Sequence, residues 1–172
     1  MKRLSFFSIV IFLGISSPLI AQKDYSKDVT SVDNIMAALY EVISGEATDV
    51  RDWDRFRFLF KPDAKLIPTL KNAEGEFTYR YWTPDEYVNF FTNSRRTVGF
   101  YEIEIHRVTE TYGTITHAFS TYETSEKKGG PATNRGINSI QIFYDNQRYY
   151  IMNIFWCGEN NGYPLPNKYL KK

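Results

Sequence analysis

From Tyr101 to Trp156 the chain switches to a two-residue period, and that switch limits the folds open to it. FYEIEIHRV sets Tyr101, Ile103 and Ile105 against Glu102, Glu104 and His106, and TITHAFSTYETSE follows. RGINSIQIFYDNQRYYIMNIFW then supplies two more apolar runs on either side of Asp145-Asn146-Gln147-Arg148. Alternation of this kind marks half-buried strands. Four long strands in succession, joined by turns and by the polar connection EKKGGPATN, imply an antiparallel meander. The last pair leaves two registers open. A two-residue loop at Asn146-Gln147 places Ile140 opposite Asn153 and Gln141 opposite Met152. A three-residue loop with a bulge puts Ile140, Ile142, Met152, Ile154 and Trp156 on one face and Ser139, Gln141 and Asn153 on the other. The second register gives the cleaner apolar interior and is preferred.

Helical spacing dominates the first half. In DVTSVDNIMAALYEVISGE, Ile35, Leu39, Val42 and Ile43 form a stripe, with Thr30 or Ser31 as cap and Gly45 as stop. In DVRDWDRFRFLFKPDA, Trp53, Phe56, Leu59 and Phe60 face one way, and Pro62 closes the helix. TPDEYVNFF carries a capping box, Thr83 with Glu86, and Pro84 in the first turn, so Tyr87, Phe90 and Phe91 are its expected buried face. AKLIPTL and FTYRYW lie between as short strands joined through Asn72-Ala73-Glu74-Gly75. The expected fold is therefore α+β, three N-terminal helices packed on a strongly curved, mainly antiparallel sheet. A sheet bent round such helices makes a half-open cone, a shape that often keeps an interior cavity.

The first residues, MKRLSFFSIVIFLGISSPLIAQKD, read as a secretory signal peptide: a positive start at Lys2 and Arg3, an apolar run from Phe6 to Ile20, and a small-residue boundary at Ala21. The run is too short and too interrupted by Gly14, Ser16, Ser17 and Pro18 to span a bilayer, which needs about 20 apolar residues. The expected division is residues 1–21 leader, 22–30 linker, 31–158 one domain and 159–172 an extended tail. Periplasmic or extracellular export follows, with no membrane partner after cleavage. The net charge is +1 for the 172 residues, so there is no electrostatic footprint for nucleic acid. The single cysteine, Cys157, excludes an internal disulfide and reads as a buried thiol. Aromatic residues make up 17% of the chain and must supply the core that disulfides do not.

The order helix–helix–strand–strand–helix–meander, over roughly residues 31 to 158, resembles the NTF2-like superfamily and within it the SnoaL-like branch. RDWDRFRFLFKPDAKLIPT looks like the family's second helix and first strand. HAFSTYETS, the RGINSIQIFYDNQRYYIMNIFW hairpin and PLPNKYL look like stretches of an uncharacterised group within it. The resemblance implies an α+β barrel with a cone-shaped pocket for a small apolar or amphipathic molecule, and a homodimer through the sheet. It names no reaction, because the superfamily spans isomerases, dehydratases, epoxide hydrolases and cyclases. No catalytic residue carries over, and no cofactor is implied.

Candidate chemistry then rests on single residues. His117 shares parity with Phe119 and is expected to point inward, where Asp54 or Glu123 could orient it as a general base. The alternative is a core histidine bonded to a hydroxyl or amide. Asp54 could project at the cavity mouth or pair with Arg51, Arg55 or Arg57. His106 shares the Glu102–Glu104 face, expected to be solvated or in a dimer contact. Arg135 could bind a polar ligand group at the rim or tie down the preceding connection. Tyr81, Tyr122 and Trp156, with Tyr79 and Trp82, suit either a pocket lining or plain core. Two histidines eleven positions apart, with no ligand cluster, make no zinc site, so no metal is expected.

Overall fold

The computed structural model describes residues 23–170. The apolar leader read at residues 1–21 lies outside them. The chain runs through a 3-10 turn at Ser26–Val29, helices α1 (Val32–Ile43) and α2 (Trp53–Phe58), strands β1 (Phe60–Lys71) and β2 (Phe77–Tyr79), helix α3 (Pro84–Asn93), and strands β3 (Tyr101–Tyr112), β4 (Ile115–Ser125), β5 (Asn134–Tyr144) and β6 (Tyr149–Gly158). One six-stranded sheet has the order β2-β1-β6-β5-β4-β3. Every pairing is antiparallel except β1 with β6. The α+β cone expected from the sequence is the fold observed. No helix among the described residues is long and apolar enough to cross a membrane.

Local chemistry accounts for the element ends. Ser31 caps α1 by accepting from the Asn34 N–H, and Thr83 and Glu86 form the reciprocal capping box of α3. At the other end of α1, the buried Arg51 guanidinium gives its N–H groups to the carbonyls of Ile43, Gly45 and Glu46. The Ile43 carbonyl is among the orphans that a helix C-terminus leaves behind, while those of Gly45 and Glu46 also accept from the Phe100 and Asp49 N–H groups. Gly45 then exchanges two backbone hydrogen bonds with Phe100, at 2.8 and 2.9 Å, which fixes where β3 begins relative to α1.

One expected boundary and one expected face shift. Pro62 does not close α2, which ends at Phe58; it lies inside β1, in the irregular stretch between the Phe60–Ile151 and Lys65–Asn153 pairs. A proline has no N–H to give a ladder, so such an interruption is where a strand tolerates one. On α3 the buried residues are Pro84, Val88 and Phe91, while Phe90 is half-exposed and stacks on Trp82 at 4.7 Å.

The β5–β6 hairpin combines both registers considered. Tyr144 pairs with Tyr149 and Ile142 with Ile151, as a two-residue turn at Asn146-Gln147 requires. The register then shifts at Met152, so that Gln141 pairs with Asn153 and Ile140 with Ile154. The bulge therefore sits in the strand and not in the turn. Ile140, Ile142, Ile151 and Ile154 are buried, Met152 is turned out, and Gln141 and Asn153 bond each other at 3.0 Å on the outer face. The core joins these residues to Ile35, Met36 and Leu39 of α1 and to Phe56 of α2. Val29, in the short turn before α1, is part of it. After β6, residues 159–170 cross the outer face, where the Thr121 hydroxyl donates to the Tyr169 carbonyl at 2.8 Å.

Candidate functional site

Between the helices and the concave face of the sheet lies an apolar cavity of about 280 Å³. Leu39 and Ile43 of α1, Phe56 of α2, Leu66 of β1 and Ile154 of β6 form its inner wall. Trp82, Tyr87, Phe90 and Phe91 form an aromatic side, continued by Trp156. The rings brace one another: Tyr87 stacks on Phe56 at 5.4 Å, and Trp82 lies 6.3 Å from Trp156. Aromatic residues positioned by mutual contact keep a hollow open where flexible aliphatic chains would collapse into it.

Two polar side chains reach this apolar space from the sheet, Glu102 of β3 and Asn138 of β5. The backbone of Glu102 is clamped, since its N–H donates to Ser44 Oγ at 3.0 Å just beyond α1. Its carboxyl Oε1 accepts from Asn138 Nδ2 at 3.1 Å. Asn138 Nδ2 also donates to the Tyr40 hydroxyl at 3.1 Å, and Tyr40 lies 2.7 Å from Ser120 Oγ. Ser120 donates in turn to Glu104, which neighbours Arg107. Tyr40, Ser120 and Asn138 are all at least nine-tenths buried, so this is an interior polar chain running from the cavity to the β3 edge.

Burial pushes the Glu102 carboxyl up to about 7, opposed by the Asn138 hydrogen bond. Burial, with the Glu102 charge adding to it, also raises the Tyr40, Tyr87 and Tyr122 hydroxyls. Arg96, in the segment between α3 and β3, lines the same cavity and lies over Phe91 at 4.3 Å and Phe100 at 4.9 Å. Its Nε is buried without a hydrogen-bond partner among the described residues. Chemically, then, the cavity offers an apolar wall, one carboxyl that changes charge near neutrality, an amide and a guanidinium. Among the described residues no group of three or more His, Cys, Asp or Glu could hold a metal ion.

Of the residues picked out from the sequence, Trp82 and Trp156 line this cavity. Tyr122 is buried on the concave side, its hydroxyl close against Gly136, without lining the cavity. His117 does not point into the cone. It occupies the β4 row opposite to the buried Thr116, Ala118 and Ser120, and its Nε2 lies 3.0 Å from Ser139 Oγ on the outer face. Phe119, used to argue that His117 faces inward, lies on that same outer side against Tyr169. Glu123 is six residues away along the strand, about 20 Å at the usual rise, so it cannot orient the imidazole. Asp54 is exposed and paired with Arg57 at 3.3 Å. Arg135 binds Glu159 at 2.8 Å and ties β5 to the tail. Tyr81 is exposed against Tyr79. Cys157 is half-buried, with Asn161 Nδ2 3.5 Å from its sulfur.

Glu102 and Glu104 correct the reading of β3. The sequence placed them on the wet face opposite Ile103; they face α1 instead, and Ile103 is 57% exposed. Rows on neighbouring strands explain the inversion. Glu102 shares its side with Asn138, and Glu104 pairs with the buried Tyr122. The interior rows of β4 and β5 carry Ser120 and Asn138 among apolar residues, and those two groups require polar partners from β3. That demand was the available signal for Glu102.

No family model matches the chain, and no curated protein matches it in sequence. Solved structures do match in shape. LinA is 8% identical over 71% of this chain and 79% of its own, with a TM-score of 0.52. The CaMKII hub of S. rosetta is 14% identical over 73% and 89%, with a TM-score of 0.50. An NTF-2-like protein of unknown function from Silicibacter pomeroyi is 10% identical over 73% and 91%, with a TM-score of 0.49. The fold is NTF2-like. At these identities the likeness extends to the fold alone. In the NTF2-like frame of this chain, the cavity described above is the interior of the cone.

Proposed function

We propose that this NTF2-like domain binds a small, largely apolar molecule with one polar end in its cone, the polar end meeting Glu102 and Asn138. The observation that carries this reading is a hollow of about 280 Å³ that the domain's own aromatic rings surround and do not fill. It lies just below the range of ligand cavities, ~300–1,000 Å³, which restricts the occupant to one or two rings or a short chain. The indole N–H resonances of Trp82 and Trp156 test it. Both should move on titration with naphthalene, and unchanged indoles at saturation would contradict the reading.

A second reading, acid–base chemistry on such a molecule, is favoured by Glu102 itself. A carboxyl that is half-protonated near pH 7 can take a proton from one position of a bound molecule and return it to another. Glu102 replaces His117 and Asp54 as the residue in this role. Glu102→Gln keeps the shape and removes the proton exchange, so any turnover found should vanish while binding remains.

We also propose export, with cleavage after the leader at residues 1–21, which N-terminal sequencing of the mature protein tests. A second copy of the chain is the proposed macromolecular partner, docking on the outer sheet face where Phe155 is exposed beside the Gln141–Asn153 pair. Light scattering decides between monomer and dimer. Placement in the SnoaL-like branch rests on the sequence resemblance.

A further inference from the structure

The interior polar chain has a direction, and the direction determines what the floor of the cavity presents. Ser120 has one hydroxyl proton, and it goes to Glu104. Ser120 must therefore accept at its contact with Tyr40, so the Tyr40 proton points to Ser120. The Tyr40 oxygen in turn accepts from Asn138 Nδ2. The remaining Asn138 N–H goes to Glu102 Oε1. Both amide protons of Asn138 are consumed, and Glu102 Oε1 is committed as an acceptor.

Two atoms remain. Among the described residues neither Asn138 Oδ1 nor Glu102 Oε2 has a hydrogen-bond partner, and neither is among the side-chain atoms sealed from all open space. Both side chains line the cavity, and Glu102 also borders the groove between α1 and β3. A proton on Glu102 resides on Oε2, because Oε1 is occupied as an acceptor.

From this geometry we infer that Asn138 and Glu102 form a paired subsite, Asn138 Oδ1 accepting and Glu102 Oε2–H donating, that recognises a neutral cis-amide or lactam edge on the cavity's occupant. This rests on the reading of the cone as a small-molecule site and names the polar end of its ligand. A lactam presents one N–H and one C=O side by side, the complement of that pair. A plain hydrocarbon leaves both atoms unpaired, and an ammonium matches only the ionised form of the floor. The other ionisable groups around Glu102 are the Tyr40, Tyr87 and Tyr122 hydroxyls from α1, α3 and β4, Glu104 on its own strand, and Arg96 on the cavity wall. The three hydroxyls stay neutral through pH 8.5, since burial raises each of them.

The test uses three ring-matched probes, naphthalene, quinolin-2-one and 2-naphthylmethylamine, titrated into the full-length protein and followed by the Trp82 and Trp156 indole resonances. At pH 5.5 quinolin-2-one should bind at least tenfold tighter than naphthalene. At pH 8.5 quinolin-2-one should lose about tenfold more affinity than naphthalene does. Glu102→Gln keeps an N–H donor facing the cavity at every pH, so its lactam preference should persist at pH 8.5. Asn138→Leu should lose the preference while retaining naphthalene, whose binding also reports that the variant is folded. Equal binding of naphthalene and quinolin-2-one to the wild type overturns the subsite and leaves the cavity reading standing. Tightest binding by the amine at pH 5.5 also overturns it. If none of the three binds, the cavity reading fails and takes the subsite with it.

Discussion

Asn138 Nδ2 lies 3.1 Å from Glu102 Oε1, and among the described residues this is the only side-chain hydrogen bond that the Glu102 carboxyl receives. A partly buried carboxylate with so little support costs more to ionise than one in water. The consequences of that imbalance are measurable in stability as well as in binding.

Glu102 binds its proton more tightly folded, near pH 7, than unfolded, near 4.5. Its contribution to stability is therefore complete below about pH 4.5, is lost as pH rises through 7, and is constant above that. Across the window the loss is of the order of 3 kcal/mol. Carboxyls held below their ordinary values, such as Asp52, Glu86 and Glu159, act in the opposite sense at lower pH. Comparison with Glu102→Gln cancels them. Urea denaturation between pH 4.5 and 8 should show the variant gaining on the wild type as pH rises.

Tyr40→Phe removes the hydroxyl that accepts from Asn138 and meets Ser120. Asn138 then has one N–H without an acceptor and Ser120 loses its donor, while their bonds to Glu102 and Glu104 remain, at a cost of roughly 1–3 kcal/mol where no water replaces the hydroxyl. A fall in denaturation midpoint of that size, with the Asn138 side-chain amide resonances shifted, is the expected outcome.

At the start of α3, Thr83→Ala removes one half of the capping box, the bond from the Glu86 N–H to Thr83 Oγ1, and leaves the backbone N–H of residue 83 to donate to Glu86. A loss of ~1 kcal/mol is expected, read by chemical denaturation. The naphthalene affinity should fall too, since α3 carries Tyr87, Phe90 and Phe91 into the cavity wall.

That capping box was fully legible in the sequence, as were the meander and the α1 stripe, because each is local and depends on spacing alone. What was not legible depends on register between distant strands. The alternation along FYEIEIHRV is real, but the apolar parity of an edge strand can be the outward one when the interior row already holds Ser120 and Asn138. The bulge at Met152 likewise set which hairpin residues face the core, through a one-residue shift that no turn motif announces. His117 was misplaced for the same reason: Phe119, its guide, is apolar yet covered from outside by the tail.

Gly136→Ala probes how closely β5 and β6 approach behind the site. An added Cβ would strike the Cys157 carbonyl and come within 2.5 Å of the Tyr122 hydroxyl. The Cys157 carbonyl is backbone and cannot yield without moving the strand pair. A destabilisation of about 1–3 kcal/mol is expected, as for overpacked cores, measured by thermal unfolding.

The account depends most on Glu102 lining a fillable apolar hollow. Carbon-detected NMR of its side-chain carboxyl across pH, with and without saturating naphthalene, tests that directly. The free protein should titrate with a midpoint of about 7, and the midpoint should rise further when the probe displaces water from around the carboxyl. A midpoint at an ordinary carboxylate value, unmoved by the probe, would contradict it.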